Sequence, residues 1–412
     1  MPTSTESQAL QEDLVRLRRR IHGEPELGLD LPRTRRRVLD ALAGLPLEIT
    51  VGRELGSVTA VLRGGRAGPA VLLRGDMDAL PLAELTGLDY ASRTETMHAC
   101  GHDLHTAMLV GAAQLLARCR EKLTGDVIFM FQPGEEGQDG AARMIEEGVL
   151  EAAGAPPIAA YAIHVMSARF PHGTFTTRRG AVLAGGDLLR VTVRGTGGHG
   201  SAPHLARDPI SAAAAMIGAL PGLLTRTVAP QDTAVLTIGA IHAGSAGNVI
   251  PGSAEFRGTL RWHTPQIRDA LRASLSGMCR SIAHAFGVEA ETQITPYVGA
   301  TVNDAAEADF AAGVAADLHG PHRYRELPQP LCAGEDFSNV LDRVPGAMIL
   351  LGACPPEADP ATAPDIHSPY AVFDDAILSD GANYLAELAS RRLDIAATSN
   401  AVAAQALPDA VR

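Results

Sequence analysis

Four short apolar runs constrain the fold of this chain more than any other feature. Ala70 to Leu73, Val127 to Phe131, residues 158–165 and Gly346 to Gly352 are nearly unbroken stretches of apolar residues. Runs this short and continuous suit strands buried on both faces. Helical periodicity lies between them: residues 104–119 place Leu104, Met108, Leu109, Ala112, Leu115 and Leu116 on one stripe. Helices are also expected over 6–22, 31–44, 138–147 and 371–391, with a strand at Val58 to Leu62. The last dozen residues read as a frayed tail. Strands alternating with helices predict an α/β fold, a mixed, mostly parallel sheet flanked by helices.

The middle of the chain follows a different rule. Leu189, Val191 and Val193 alternate with Arg190, Thr192 and Arg194, as in a strand with one wet face. Helix 208–225, strands 233–241 and 253–261, helix 265–286 and strand 288–297 follow. The order strand, helix, strand, strand, helix, strand is that of a ferredoxin-like α+β unit. We therefore expect a discontinuous catalytic domain, 1–185 with 299–412, interrupted by an inserted domain at 186–298. A chain of 412 residues has room for both.

Composition removes several classes of function. Lys plus Arg number 35 against 47 Asp plus Glu, a net charge of −12. Nucleic-acid binding needs a basic face, so none is expected. No uninterrupted apolar run reaches the roughly 18 residues of a membrane span, and the polar, arginine-rich N-terminus lacks a signal-peptide core. A cytoplasmic protein is expected. The one lysine, Lys122, stands outside any phosphate-binding loop and is a poor Schiff-base candidate. The five cysteines are scattered, with no Cys-x-x-Cys pair, which argues against a disulfide framework or a zinc finger.

The chemistry-bearing residues gather where strands end. His98-Ala-Cys100-Gly-His102-Asp103, followed by His105, puts a thiol and an imidazole at i and i+2, on one side of an extended segment. That pair suits zinc or a related transition metal. Phe131-Gln-Pro-Gly-Glu135-Glu136-Gly137 follows the second apolar run. Of two adjacent carboxylates, one can bind a metal while the other moves a water's proton. Ala162-Ile-His164-Val165 ends another strand, and Asp365-Ile-His367-Ser-Pro369 precedes the last helix. Leu73-Arg-Gly-Asp76-Met-Asp78 offers carboxylates that could orient histidine ligands. Each segment alone has a plain alternative: a buried free cysteine, a helix-start carboxylate, a structural histidine, a turn aspartate. Together, Cys100, His102, Glu136, His164 and His367 make five ligands, one more than a closed structural zinc site uses. Five, with one shared, fit two metals about 3.5–4 Å apart. A thiolate donor disfavours magnesium and calcium, so two divalent ions of zinc, manganese, cobalt or nickel type are expected.

Two motifs point elsewhere. Gly195-Thr-Gly-Gly-His-Gly200 matches a dinucleotide-binding pattern, but Ser201-Ala-Pro203 follows and no helix opens there. No Gly-x-Ser-x-Gly nucleophile elbow occurs.

The chain resembles the dinuclear metallo-aminoacylases and carboxypeptidases, in the branch of hippurate hydrolases and auxin-conjugate amidohydrolases. The resemblance rests on His22-Gly-Glu-Pro-Glu-Leu-Gly28, Arg74-Gly-Asp-Met-Asp-Ala-Leu-Pro81, Met97 to Asp103 and Gln132 to Gly137. It continues through His199-Gly-Ser-Ala-Pro-His204, Gly247-Asn-Val-Ile-Pro251, Gly258-Thr-Leu-Arg261, Gly334-Glu-Asp-Phe-Ser338 and His367-Ser-Pro369. It implies Cys100 as the bridging ligand, His102 and His164 on one metal, Glu136 and His367 on the other, and Glu135 as general base. Asp76, where other branches carry a histidine ligand, is not counted. Asp78 is implied near the metals, and His199, Asn248 and Arg261 of the inserted domain at the substrate. Cys332 departs from the usual motif and is expected to have no catalytic role. The implied activity is hydrolysis of N-acyl amino acids, with dipeptidase or carboxypeptidase action as the alternative and a non-catalytic binding module as the distant one. The inserted domain is implied to be a lid and the contact surface of a homodimer.

Overall fold

The computed structural model describes residues 8–405, with side chains to residue 399. Residues 6 and 7 of the first expected helix, and 406–412 of the expected tail, lie outside the described residues. Along the chain run α1 (Gln11–His22), α2 (Pro32–Leu42), β1 (Leu47–Val51), β2 (Val58–Leu62) and β3 (Arg66–Asp76). Next come α3 (His102–Arg118), β4 (Thr124–Gln132), α4 (Gly140–Glu146), β5 (Ala159–Met166) and β6 (Phe175–Thr177). The middle holds β7 (Gly185–Arg194), α5 (Pro209–Thr227), β8 (Ala234–Ala243), β9 (Ser253–Trp262), α6 (Pro265–Phe286) and β10 (Glu289–Val298). The chain closes with α7 (Ala305–His319), β11 (Tyr324–Glu326), β12 (Gly346–Gly352) and α8 (Leu378–Gln405).

The larger sheet has eight strands in the order β1-β2-β4-β3-β5-β12-β6-β11. Its centre, β4-β3-β5-β12, is parallel, while β1, β2 and the β12–β6 pair are antiparallel. The four apolar runs are these four parallel strands. Ala159–Met166 and Gly346–Gly352 are buried at every residue, as expected of strands covered by helices on both faces. Helix α3 is buried nearly all round, and its Leu104, Met108 and Leu115 join Val71, Phe129, Tyr161 and Ile349 in one core.

The smaller sheet runs β8-β9-β7-β10 with every pair antiparallel. In chain order that is second, third, first, fourth, the ferredoxin-like arrangement expected from the element sequence. Its inner face, Leu189, Val191, Val193, Phe256 and Leu260, packs with Ala212, Met216 and Leu220 of α5 and Leu275 and Cys279 of α6.

Several details differ from the sequence expectation. The edge strand β1 went unpredicted: it is short and mostly exposed, so it carries no buried pattern. The last helix starts at Leu378, because the Asp374 side chain accepts from Ala376 N and holds a tighter turn first. That helix also runs on to Gln405, into the expected tail. Helix α5, at 19 residues, is long and apolar enough by length and composition to cross a membrane, although Ser211, Pro221 and Thr225 interrupt its apolar sequence. In this fold Ala212, Ala213, Met216 and Leu220 bury one face of it in the smaller core.

Two compact units result. One comprises residues up to Val182, Val302–Pro328 and Asp336 onward; the other comprises Leu183–Thr301 with Gln329–Glu335. The segment Gln329–Glu335, assigned by sequence to the catalytic domain, belongs to the smaller unit. Ala184 N donates to Ala333 O, and His263 Nε2 lies 3.1 Å from Leu331 O. Phe256→Ala should open a cavity in the smaller core and cost about 3–5 kcal/mol. Urea denaturation checks this, and an unchanged midpoint would show that Phe256 is not a core anchor.

Candidate functional site

Parallel strands deliver the chemistry to one edge of the larger sheet. β3 ends level with β4, Asp76 opposite Gln132, so the segments after them, Asp78 and Glu135-Glu136, leave the sheet side by side. His164 lies in β5 and pairs with Leu350 of β12. Cys100 stands just before α3, and His102 is that helix's first residue. Gly101 makes the corner with φ +81°, and a Cβ there would sit 2.3 Å from Val165 Cγ2. Only glycine fits both the left-handed conformation and the contact.

Donor atoms of Cys100, His102 and His164 lie within 4.8 Å of one another, as do those of Cys100, Glu136 and His367. Cys100 belongs to both groups. Its Sγ is 3.4 Å from His164 Nε2, and His367 Nε2 is 3.1 Å from Glu136 Oε1. Glu135 joins His102 and Glu136 in a third such group, its Oε2 4.0 Å from His102 Nε2.

The surrounding polar groups fix which nitrogen faces the cluster. His102 Nδ1 donates to the Asp78 carbonyl at 2.8 Å, and His164 Nδ1 to the Val165 carbonyl at 2.8 Å. In the neutral rings both Nε2 atoms then carry the lone pair, the usual arrangement behind metal-binding histidines. His102 Nε2 is buried and lacks a hydrogen-bond partner among the described residues. Burial pushes the Cys100 thiol well up, only partly offset by His102, so it needs a cation beside it to become a thiolate. An unpaired buried imidazole nitrogen and a buried thiol are donors that fit a transition metal.

Both aspartates lie against the ligand His102, with Asp78 Oδ1 3.5 Å from its Nδ1 and Asp76 Oδ2 3.6 Å from its Nε2, and each has a second task. The Asp78 carboxylate accepts from Glu135 N and Glu136 N, both at 3.0 Å, and so shapes the turn that carries both glutamates. Asp76 accepts from His105 Nδ1 at 2.6 Å and from Arg74 Nη1 at 2.5 Å. With His105 Nε2 accepting from Val165 N at 2.8 Å, both His105 nitrogens are used internally. Asp76 and His105 are framework, although they lie near His102.

Sequence reasoning missed two buried ionic hubs. Arg74 bonds Gln132 and Asp336 as well as Asp76. His22 lies 2.8 Å from Asp103 and 3.1 Å from Glu84, while Arg18 pairs with Asp103 and Asp375. The signal was present: His22, Arg74, Asp103 and Asp336 all stand inside quoted motifs, but a motif does not say which charge meets which.

In the smaller unit His199 pairs with Val249, next to Asn248, and is exposed; its Nδ1 is 2.7 Å from Ser201 Oγ. Arg261 lies over the Tyr297 ring at 5.8 Å, with Nη1 buried and without a hydrogen-bond partner among the described residues. Cys332 is exposed.

Comparison with known proteins adds what geometry alone does not supply. Residues 72–391 match the family model described as peptidase family M20/M25/M40. The chain belongs to this family, in its amidohydrolase branch. It is 36% identical over 390 residues to the hippurate hydrolase of Campylobacter jejuni, covering 93% of this chain and 97% of that one. It is 34% identical over 383 residues to an N-acetylcysteine deacetylase of Bacillus subtilis, covering 92% and 97%. A crystal structure from B. subtilis, described as a dinuclear metal-binding peptidase of the M20 family, superposes with a TM-score of 0.81 at 32% identity, covering 94% and 99%. The matched region holds every metal-ligand candidate and both glutamates.

Asp78→Ala should therefore strip the acceptor from two backbone N–H groups and loosen the glutamate turn. A loss of metal affinity of about 10–100-fold is expected, read by metal titration; wild-type affinity would remove Asp78 from this role.

Burial also makes stability depend on pH. It pushes His98 down to about 3. It pushes His105 and His164 down to about 4, against the pull of Asp76. Unfolded histidine titrates near 6.5. The stability these three neutral rings contribute is complete above that pH and is lost as pH falls toward 4. Burial also opposes charge on His22 and His102, but carboxylates outweigh it and raise both. Their contribution is complete below about pH 6.5 and adds no slope there. Burial pushes His319 down to about 4 as well, and each of these protons adds up to about 1.4 kcal/mol per pH unit between about pH 4 and 6. Denaturant midpoints of metal-stripped protein should fall steeply over that window; a flat profile would contradict it.

Proposed function

We propose that the protein hydrolyses the amide bond of N-acyl amino acids, releasing a carboxylic acid and a free amino acid. The observation that carries this is Glu135 standing beside five convergent donors, Cys100, His102, Glu136, His164 and His367, in a family member similar over nearly its whole length to a hippurate hydrolase. Two divalent ions of zinc, manganese, cobalt or nickel type held by those donors, with Cys100 shared, would supply Lewis acidity to water and to the substrate carbonyl. Glu135 takes the proton of the attacking water and returns it to the leaving nitrogen. Asp78 holds Glu135 and Glu136 in register for this. Arg261, with a buried unpaired nitrogen, His199 and Asn248 are proposed to hold the substrate's carboxylate or to polarise its amide carbonyl.

Dipeptidase or carboxypeptidase action differs only in the acyl part, and a panel of N-acyl amino acids and dipeptides separates the two. Turnover of any panel member excludes a non-catalytic binding module. A homodimer through the smaller unit is supported by its open edge strand β8 and by exposed Val235 and Ile241 along it. A cytoplasmic setting would keep the five free cysteines reduced.

Glu135→Gln should retain metal and lose about 10²–10⁴-fold in turnover. Near-normal turnover of N-acyl amino acids by that variant would rule out Glu135 as the base.

A further inference from the structure

The two halves of the donor set are built unequally. Cys100, His102 and His164 are buried, whereas Glu136 is half-buried and the His367 side chain is 50% exposed. His367 also adopts φ +65°, a left-handed conformation that a non-glycine residue holds only when its surroundings enforce it. Its loop, between β12 and α8, is tied to the Cys100 turn by one bond, His367 N to Ala99 O at 2.9 Å.

Leu85 N donates to Pro369 O at 2.8 Å on the far side of His367, and the ties on its near side come from the segment just after β5. Ser167 Oγ donates to Pro364 O at 2.9 Å, and Arg169 N donates to Pro360 O at 2.6 Å. Arg169 Nη2 meets Asp365 Oδ2 at 2.5 Å, while Asp365 Oδ1 accepts from Ile366 N at 3.0 Å. Arg169 is itself left-handed, φ +68°, so of the three non-glycine residues with positive φ among the described residues, one forms this ion pair and another, His367, lies two residues beyond Asp365. The pair is partly exposed, 57% and 30%. Such a pair contributes little to overall stability, about 0–1 kcal/mol. Its geometric effect is larger in consequence, because a ligand nitrogen must sit within about 0.2 Å of its bonding distance.

We propose that Arg169 is a positioning residue: it grips Asp365 and thereby sets the affinity of the ion held by Glu136 and His367, leaving the other ion untouched. This rests on the dinuclear reading given above. The strand that presents His164 for one ion thus continues into the residues that aim His367 at the other.

The test is zinc titration of the chelator-stripped, full-length protein against a competing chromophoric chelator. The wild type should take up two equivalents. Arg169→Ala and Asp365→Asn should each weaken one equivalent by about 10–100-fold and leave the other within about three-fold. The double variant should be no worse than the poorer single one, as for partners in one interaction. Asparagine keeps an acceptor for Ile366 N, so Asp365→Asn carries the test if Arg169→Ala does not fold. Two equivalents of wild-type affinity in the variants, or equal weakening of both, would overturn the clasp alone. Failure of the wild type to bind two equivalents would overturn the dinuclear reading and the clasp with it.

Discussion

Everything in the larger unit depends on four parallel strands being buried on both faces. Parallel strands point one way, so the segments that follow them emerge along one edge. The pairing of Asp76 with Gln132 and of His164 with Leu350 brings four distant stretches of chain to one place. A shift of one residue would turn every buried side chain of a strand to the other face. The hydrophobic pattern that fixes the register therefore fixes the donor positions as well.

Around that edge the fold buries more charge than an apolar core tolerates without pairing. Arg74, Asp76, Gln132 and Asp336 form one hub, and Arg18, His22, Glu84 and Asp103 another. Burial opposes ionisation of Asp76, but Arg74, His102 and His105 hold its carboxyl well below the usual range. The first hub locks the strand ends β3 and β4 together. The second holds the start of α3, and with it His102, against α1. Removing one partner from such a hub leaves an unpaired buried charge, a cost of about 3–5 kcal/mol. The ligand turns can therefore be short and glycine-rich while their bases remain rigid.

The smaller unit solves a different problem with the same currency of burial. Its sheet hides one face beneath α5 and α6 and leaves the other wet, which is why its strands alternate. Asp187 anchors it internally, accepting from Trp262 Nε1 and from Arg272.

The sequence by itself determined the strand and helix order, the inserted ferredoxin-like unit and the cluster of donor residues. Apolar periodicity reports burial directly, and thiol, imidazole and carboxylate side chains report their own chemistry. It did not reveal β1, whose exposed residues leave no pattern, nor the three-residue strands β6 and β11, which are too short for one, nor the membership of Gln329–Glu335 in the smaller unit, which rests on bonds to its backbone carbonyls. The sequence named His102 and not His105, a second histidine of the same motif, as a ligand, and the tertiary structure supplies the physical reason. One presents a free nitrogen to the cluster, and the other has both nitrogens bonded within the fold. Likewise Asp76 and Asp78 look alike in sequence, yet one is locked to an arginine and the other shapes the glutamate turn. Residue type fixes what a side chain can donate or accept; which partner it meets is set by packing between segments far apart in the chain.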